Sequence, residues 1–255
     1  MNLIKLKQKI IKTATIANEG HIPAAFSILD ILWVLYDRVL NIKPKTANNP
    51  NRNRFVLSKG HASIGLYVVL AEKGFMSQKT LEGFGKADSC LGGHPDRKKV
   101  PGVEASTGSL GHGLPMAVGL ALGAKIKKQK NKVYVIVGDG ECNEGTIWES
   151  AMLAAHNKLN NLYCIVDYNH SGDQTLDLGD IREKFKAFGW QAVSIDGHNQ
   201  KEIYRALTKK SDNRPVAIIA ETIKGKGLKI IENNPEWTHK YPKLEELDKF
   251  LTEVK

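Results

Sequence analysis

The residues of this sequence best suited to chemistry are a carboxylate and a carboxamide at a fixed interval. Gly138-Asp139-Gly140 follows the apolar run Val133–Val137, and Asn169 lies thirty residues beyond Asp139, just after the apolar run Leu162–Val166. Short continuous apolar runs are the mark of parallel strands buried on both faces, and one helical pattern fills the interval. A strand–helix–strand unit sets Asp139 and Asn169 at the carboxyl ends of two parallel strands, about 5 Å apart if the strands are neighbours. Open parallel sheets bind ligands at that edge. A carboxylate and an amide oxygen suit Mg²⁺, which takes one or two protein ligands and completes its shell with phosphate oxygens and water. Glycines on both sides let backbone approach phosphate closely. The helix entered at Glu144 adds amides and a dipole, although Glu141 and Glu144 oppose an anion there. Gly-Asp-Gly alone is also an ordinary turn; the interval, the strand context and the terminal Asn favour a ligand site.

These residues need a scaffold, and its pattern is alternating. Leu3–Ala17 and Phe26–Leu40 read as helices, with a polar loop over 41–54. Helices follow at Ser63–Lys73 and Ser77–Phe84, a glycine-rich loop spans Gly92–Gly113, and a helix runs from Pro115 to about Lys128. Beyond the first strand, Glu144–Asn157 is helix, Leu162–Val166 strand, Ile181–Phe188 helix, Gln191–Ile195 strand, Lys201–Lys209 helix and Pro215–Ala220 strand. Lys243–Val254 closes the pattern as a helix. Strands alternating with helices imply an α/β fold, a parallel sheet with helices on both faces.

Bulk properties bound the function. The 255 residues, 42% hydrophobic, support one domain over 1–255 with a helical N-terminal extension. Met1-Asn2-Leu3-Ile4-Lys5 opens an apolar-basic stretch without a cleavage site, and no run of apolar residues is long enough to span a membrane. The net charge of +10 is scattered along the chain, against a nucleic-acid footprint; an anionic substrate or acidic partner also suits it. Cys90, Cys142 and Cys164 are an odd number without metal-type spacing, which places the chain in the reducing cytoplasm. Cys142 reads as packing, because Glu141 and Glu144 oppose a thiolate beside it.

The stretch Gly138-Asp139-Gly140-Glu141 through Asp167-Tyr168-Asn169 resembles the thiamine diphosphate motif. The likeness spreads to Gly20-His21-Ile22-Pro23, Ser58-Lys59-Gly60-His61-Ala62, Gly92-Gly93-His94-Pro95 and Thr107-Gly108-Ser109-Leu110-Gly111-His112-Gly113. Lys224-Gly225-Lys226-Gly227 and Glu236-Trp237-Thr238-His239 continue it, so that nearly the whole chain resembles the N-terminal section of transketolases. The resemblance implies a thiamine diphosphate-binding fold of the diphosphate (PP) type. It implies Mg²⁺, with Ca²⁺ or Mn²⁺ as substitutes, held by Asp139, Asn169 and the main-chain oxygen of Ser171. Gly138, Gly140, His61, Gly108 and Leu110 would contact the cofactor, and Glu144 resembles a glutamate of an inter-subunit carboxylate network. His21, His94 and His61 are the implied catalytic set, imidazoles that titrate near neutral pH. Read without the family, each has a less favoured plain alternative: His21 as a helix-capping residue, His61 as a turn residue and His94 as an exposed loop residue. His112, where the family often has Gln, is a shell candidate. His156 and His170 read as structural or solvated, and His198 as a helix-entry residue before Asn199 as N-cap.

Two departures stand out. Trp237-Thr238-His239-Lys240 replaces the family's Trp-His-Gly type sequence, so His239 either contacts the diphosphate from a shifted position or does not contact it. Ala24-Ala25 makes the channel more apolar. The chain ends before the family's pyrimidine-binding half, so the resemblance implies a split enzyme. A second chain like a transketolase C-terminal section would complete it as a heterotetramer, with homo- or heterodimerisation through the cofactor domain. The implied reaction moves a two-carbon ketol unit from a ketose, often a sugar phosphate, to an aldose. Its rivals are the α-subunit of a 2-oxo acid dehydrogenase, a deoxyxylulose phosphate synthase-like enzyme, and a cofactor-binding or scaffolding subunit without turnover; the ordered His21, His61 and His94 motifs favour ketose chemistry.

Overall fold

The computed structural model describes residues 3–173 and 175–255, so Met1 and Asn2 of the opening stretch lie outside the described residues. Strands β1 (Arg54–Leu57), β2 (Val133–Gly138), β3 (Leu162–Tyr168), β4 (Gln191–Asp196) and β5 (Val216–Glu221) form one sheet in the order β1-β2-β3-β5-β4. Every neighbouring pair is parallel. Alternation sorts each strand between two cores. Tyr134, Ile136, Tyr163, Ile165 and Ile218 face one side, while Val133, Val135, Val137, Cys164, Val166 and Ile219 face the other.

Helices cover both faces, as the alternating pattern predicts. The first core takes α1 (Leu3–Ala17), α2 (Ile22–Ser27), α3 (Leu29–Val34), α4 (Ser63–Glu72), the short α5 (Gln78–Leu81), and later α9 (Gln200–Thr208) and α10 (Leu247–Glu253). The second takes α6 (Gly113–Ile126), α7 (Gly145–His156) and α8 (Ile181–Ala187). Helix α1 buries Leu6, Ile10, Ile11 and Ala14, the spacing of one helical face, against α4, α2 and α10.

Two local expectations change. The helix expected over Phe26–Leu40 starts at Ile22 and breaks at Ile28, where φ is −105° and ψ is 2°. Ser27 Oγ donates to the Ala24 carbonyl at 3.0 Å, a back-bond of the type that bends helices. The segment then finishes as a π-turn over Leu35–Val39. Strand β1 lies where a polar loop was expected to end. Its apolar part is only Phe55-Val56-Leu57, yet it forms the β1 edge of the sheet against β2.

Candidate functional site

The register pairs Gly138 with Asp167, so β2 and β3 are neighbours and bring Asp139 and Asn169 to the same carboxyl edge. There they line a cavity of about 620 Å³. Its floor comes from the loops after β1, β2, β3 and β5, through Lys59, Asp139, Asn169 and Lys224. His21 comes from the turn before α2, and His94 and Leu110 from the glycine-rich loop. Of the sequence candidates, His21, His61, His94, Leu110, Gly138, Asp139, Gly140, Glu144, Asn169 and Ser171 all line this space.

Asp139 is 5% exposed, and its Oδ1 accepts from the Gly140 amide at 2.7 Å while Oδ2 has no partner. Burial, and after it the nearby charge of Asp167, raises its pKa against the opposing pull of the Gly140 and Gly172 amides. A buried, unpartnered carboxylate oxygen is costly and calls for a donor or a cation. Asn169 Nδ2 donates to Asp167 Oδ2 at 3.0 Å, and its Oδ1 accepts from the Ser171 amide at 3.2 Å. Opposite them the chain is close to itself: a Cβ at Gly172 would lie 2.7 Å from the Gly140 nitrogen. The β2 and β3 loops therefore meet backbone to backbone, as a phosphate cradle requires. No group of three or more His, Cys, Asp or Glu side chains gathers as a metal site among the described residues. A cation here would draw on carboxylate, amide, main-chain and ligand oxygens, the donor set of Mg²⁺.

Glu141 also lines the cavity, but both of its oxygens are engaged by protein donors. It is 2% exposed and accepts from the Gly111 amide at 2.9 Å, the Gly138 amide at 3.1 Å, and Ser58 Oγ. Three loops are pinned by one carboxylate. Burial raises its pKa in spite of those bonds.

The histidines form a separate wall. His21 has φ 65°, and its ring lies 5.2 Å from that of His61 and 4.9 Å from that of His239. Burial, then repulsion from His239 and His94, lowers the His21 pKa to about 4. Burial and the Lys59 ammonium push His61 down to about 2. Both rings are neutral imidazoles at neutral pH, and the buried Nδ1 of His21 has no partner. His94 is held by missing atoms: a Cβ at Gly60 would lie 2.9 Å from its Cδ2, and one at Gly108 would lie 3.2 Å from it.

Gly108 and His239 sit behind the wall, as the packing partners of His94 and His21. His239 is held there because the Thr238 carbonyl accepts from the His21 amide at 2.9 Å. His112 is exposed, its ring against Leu110 and Ser109. His198 accepts from the Ile223 amide at 2.9 Å, and Asn199 caps α9. Cys142 is fully buried with its thiol pKa pushed well up by burial, consistent with packing.

Three residues at the site carry no signal of their own in the sequence. Lys59 is 3% exposed and ion-pairs with Asp167, which is fully buried. Lys224 is a half-buried amine whose pKa burial and the Lys59 charge lower. Lys59 and Lys224 both fall inside family motifs, Ser-Lys-Gly-His and Lys-Gly-Lys-Gly; a lysine flanked by glycine was the one signal available.

Residues 5–245 match the family described as transketolase, thiamine diphosphate binding domain. The chain is 43% identical over 242 residues to a subunit of the apulose-4-phosphate transketolase of Actinobacillus succinogenes, covering 92% of this chain and 88% of that one. It is 39% identical to the 6-deoxy-6-sulfo-D-fructose transketolase subunit SqwG of a Clostridium species, covering 84% and 80%. A transketolase crystal structure from Campylobacter jejuni superposes with a TM-score of 0.87 at 33% identity over 99% of this chain, which spans only 43% of that larger chain. Motifs, sheet order and cavity agree with these likenesses, and the chain belongs to the transketolase thiamine diphosphate-binding domain family.

Proposed function

We propose that this chain is the cofactor-phosphate subunit of a split transketolase, acting with a separate chain that resembles a transketolase C-terminal section. One observation carries the reading: the unpartnered Oδ2 of Asp139 shares a cavity with Asn169, two lysine amines and three histidines. That is a cation site, an anion site and a proton-handling wall in one place. The relatives that this chain nearly spans are themselves named as single subunits of transketolases, which supports the two-chain assembly; two copies of each chain is the arrangement we favour. The chain acts as one domain over 1–255, with α1 as its helical N-terminal part. Cys90, Cys142 and Cys164 are all free, which supports a cytoplasmic location, and no helix among the described residues is long and apolar enough to cross a membrane.

Asp139, Asn169 and the Ser171 main-chain oxygen would hold Mg²⁺, which would offset the charge of the diphosphate. Gly138 and Gly140 would offer backbone to that diphosphate, and Lys59 and Lys224 positive charge. When bound, thiamine diphosphate supplies carbanion stabilisation that no side chain can provide. The chain's own work is then positional. Leu110 lines the cofactor cavity, and Glu144, exposed at its rim, is placed to meet carboxylates of the partner. His61, neutral and close to Lys59, hydrogen-bonds the diphosphate. His21 and His94 hold or pass protons on the sugar hydroxyls. His239 and Gly108 fix those two rings.

The donors to try first are ketose phosphates together with apulose 4-phosphate and 6-deoxy-6-sulfo-D-fructose, the sugars in the relatives' names. Mixing the chain with its candidate partner, thiamine diphosphate and Mg²⁺ should give ketol transfer that neither chain shows alone and that Asp139→Ala abolishes. Decarboxylation of a 2-oxo acid without ketol transfer would overturn the proposal.

A further inference from the structure

Asp167 is the most heavily engaged side chain near the cavity, yet it does not line it. It is the sixth residue of β3, 0% exposed, and four side chains converge on its carboxylate. Thr222 Oγ1 donates to Oδ1 at 2.5 Å. Ser27 Oγ donates to Oδ2 at 2.8 Å, Asn169 Nδ2 at 3.0 Å, and the Lys59 ammonium completes the set. These donors come from the end of α2, the loop after β1, the loop after β3 and the loop after β5, four segments at the carboxyl edge of the sheet.

A carboxylate offers only acceptors, so it fixes which end of each neighbour faces it. Asn169 is the consequential case. Its amide has two unlike ends, and only one can bind a cation. With Nδ2 drawn onto Asp167, Oδ1 is the end left to accept from the Ser171 amide, and Asn169 lines the cavity together with Asp139. The reverse orientation would set two N–H donors toward the cation and a carbonyl oxygen against a carboxylate. Lys59 is fixed by the same group, at the border of the cavity that it lines.

We propose that Asp167 is a positioning residue for the cation site: it sets the amide orientation of Asn169, and so the oxygen that Asn169 presents to the metal. This inference rests on the cofactor reading above and adds a residue that never touches cofactor or metal. Partners of this kind orient ligands by holding the atom that does not coordinate.

The test is Mn²⁺ binding to the two-chain assembly at saturating thiamine diphosphate, with free Mn²⁺ read by electron paramagnetic resonance, so turnover is not needed. Asp167→Asn should weaken Mn²⁺ binding by roughly 10- to 100-fold. In an Asn169→Ala background the same change should cause no further loss, since nothing is left to orient; additive losses would refute the coupling. Should Asp167→Asn fail to fold, Thr222→Val removes one donor and leaves the cation ligands alone. It should weaken Mn²⁺ binding by roughly three- to tenfold, in line with the net worth of one ordinary hydrogen bond acting at one remove from the cation. Wild-type affinity in whichever of these variants folds overturns the inference while the cofactor reading stands. No Mn²⁺ uptake by the wild-type assembly overturns the cofactor reading, and this inference with it.

Discussion

Gly60→Ala should separate activity from stability, because its tightest contact falls on a single ring. Gly60 has an ordinary φ and sits in the 3₁₀ turn Gly60–Ala62, so alanine introduces no backbone strain. Its new Cβ would lie 2.9 Å from Cδ2 of His94 and 3.2 Å from the Gly108 Cα. Non-bonded carbons settle at about 3.5–4.0 Å, so the imidazole must move by roughly 0.6–1.1 Å. Gly108 closes the other side of the ring, and the way out is toward solvent, where His94 is already exposed. Because the ring can swing out, the stability loss should stay at the low end for overpacking, about 1 kcal/mol. A displacement of about 1 Å in a group that positions substrate costs up to about 10²-fold in rate, so ketol transfer should fall roughly 10- to 100-fold. Binding of Mg²⁺ and thiamine diphosphate should remain, since Asp139 lies elsewhere in the cavity. Steady-state ketol transfer, thermal unfolding and cofactor titration on one preparation check all three, with Gly93→Ala as control because its Cβ meets nothing within 4 Å. Full activity in Gly60→Ala would refute the role given to His94. Loss of cofactor binding would show that the loop, not the ring, had moved.

Three other substitutions and conditions test the site from different sides. Asp139→Asn removes a buried carboxylate with an unpartnered oxygen, so the ligand-free chain should gain about 1 kcal/mol in urea unfolding while the stabilisation by Mg²⁺ with thiamine diphosphate disappears. Glu141→Gln replaces one acceptor oxygen by an amide NH2, which faces either the Gly138 amide or the Gly111 amide and Ser58, and should destabilise the chain by about 1–3 kcal/mol in the same assay. The ligand-free chain should lose stability on acidification. At and above pH 6.5 the contribution of His21 and His61 is present, but below it the unfolded chain takes up protons that the folded chain refuses. The loss continues through about pH 4 for His21 and toward 2 for His61. Thermal midpoints across this range should flatten in a His21→Asn/His61→Asn variant.

The meeting of Asp139 and Asn169 at one sheet edge was legible in the sequence, as were the glycines beside them, whereas the two lysines of the cavity were not. Asp139 and Asn169 could be placed because each ends an apolar run, and a helix between two such runs leaves little freedom in how the strands lie. Strand β1 was missed because Phe55-Val56-Leu57 is too short to show a period. The break at Ile28 was hidden inside a continuous apolar segment and depends on Ser27 bonding to the Ala24 carbonyl. Lys59 and Lys224 could not be assigned because lysine is a surface residue by default. The ion pair of Lys59 with Asp167 spans 108 positions, a separation no local pattern records. Asp167 itself reads as the polar end of a strand, and only the convergence of four loops on one carboxylate shows what it does.

The charges of the cavity argue that its two ligands belong together. Asp139 has a raised pKa because burial and Asp167 disfavour its anion, and Lys224 a lowered one because burial and Lys59 disfavour its cation. His21 and His61 are pushed to neutrality by burial and by the positive charges around them. Every titratable group whose pKa is shifted along this wall is thus pushed toward its uncharged form by its protein surroundings. A divalent cation beside Asp139 would favour that carboxylate's charge, and a diphosphate beside Lys224 would favour the amine's. Either ligand alone brings unbalanced charge into a half-buried space, whereas the pair brings little. Each would lower the free energy of the other's binding, and by linkage the effect would be reciprocal.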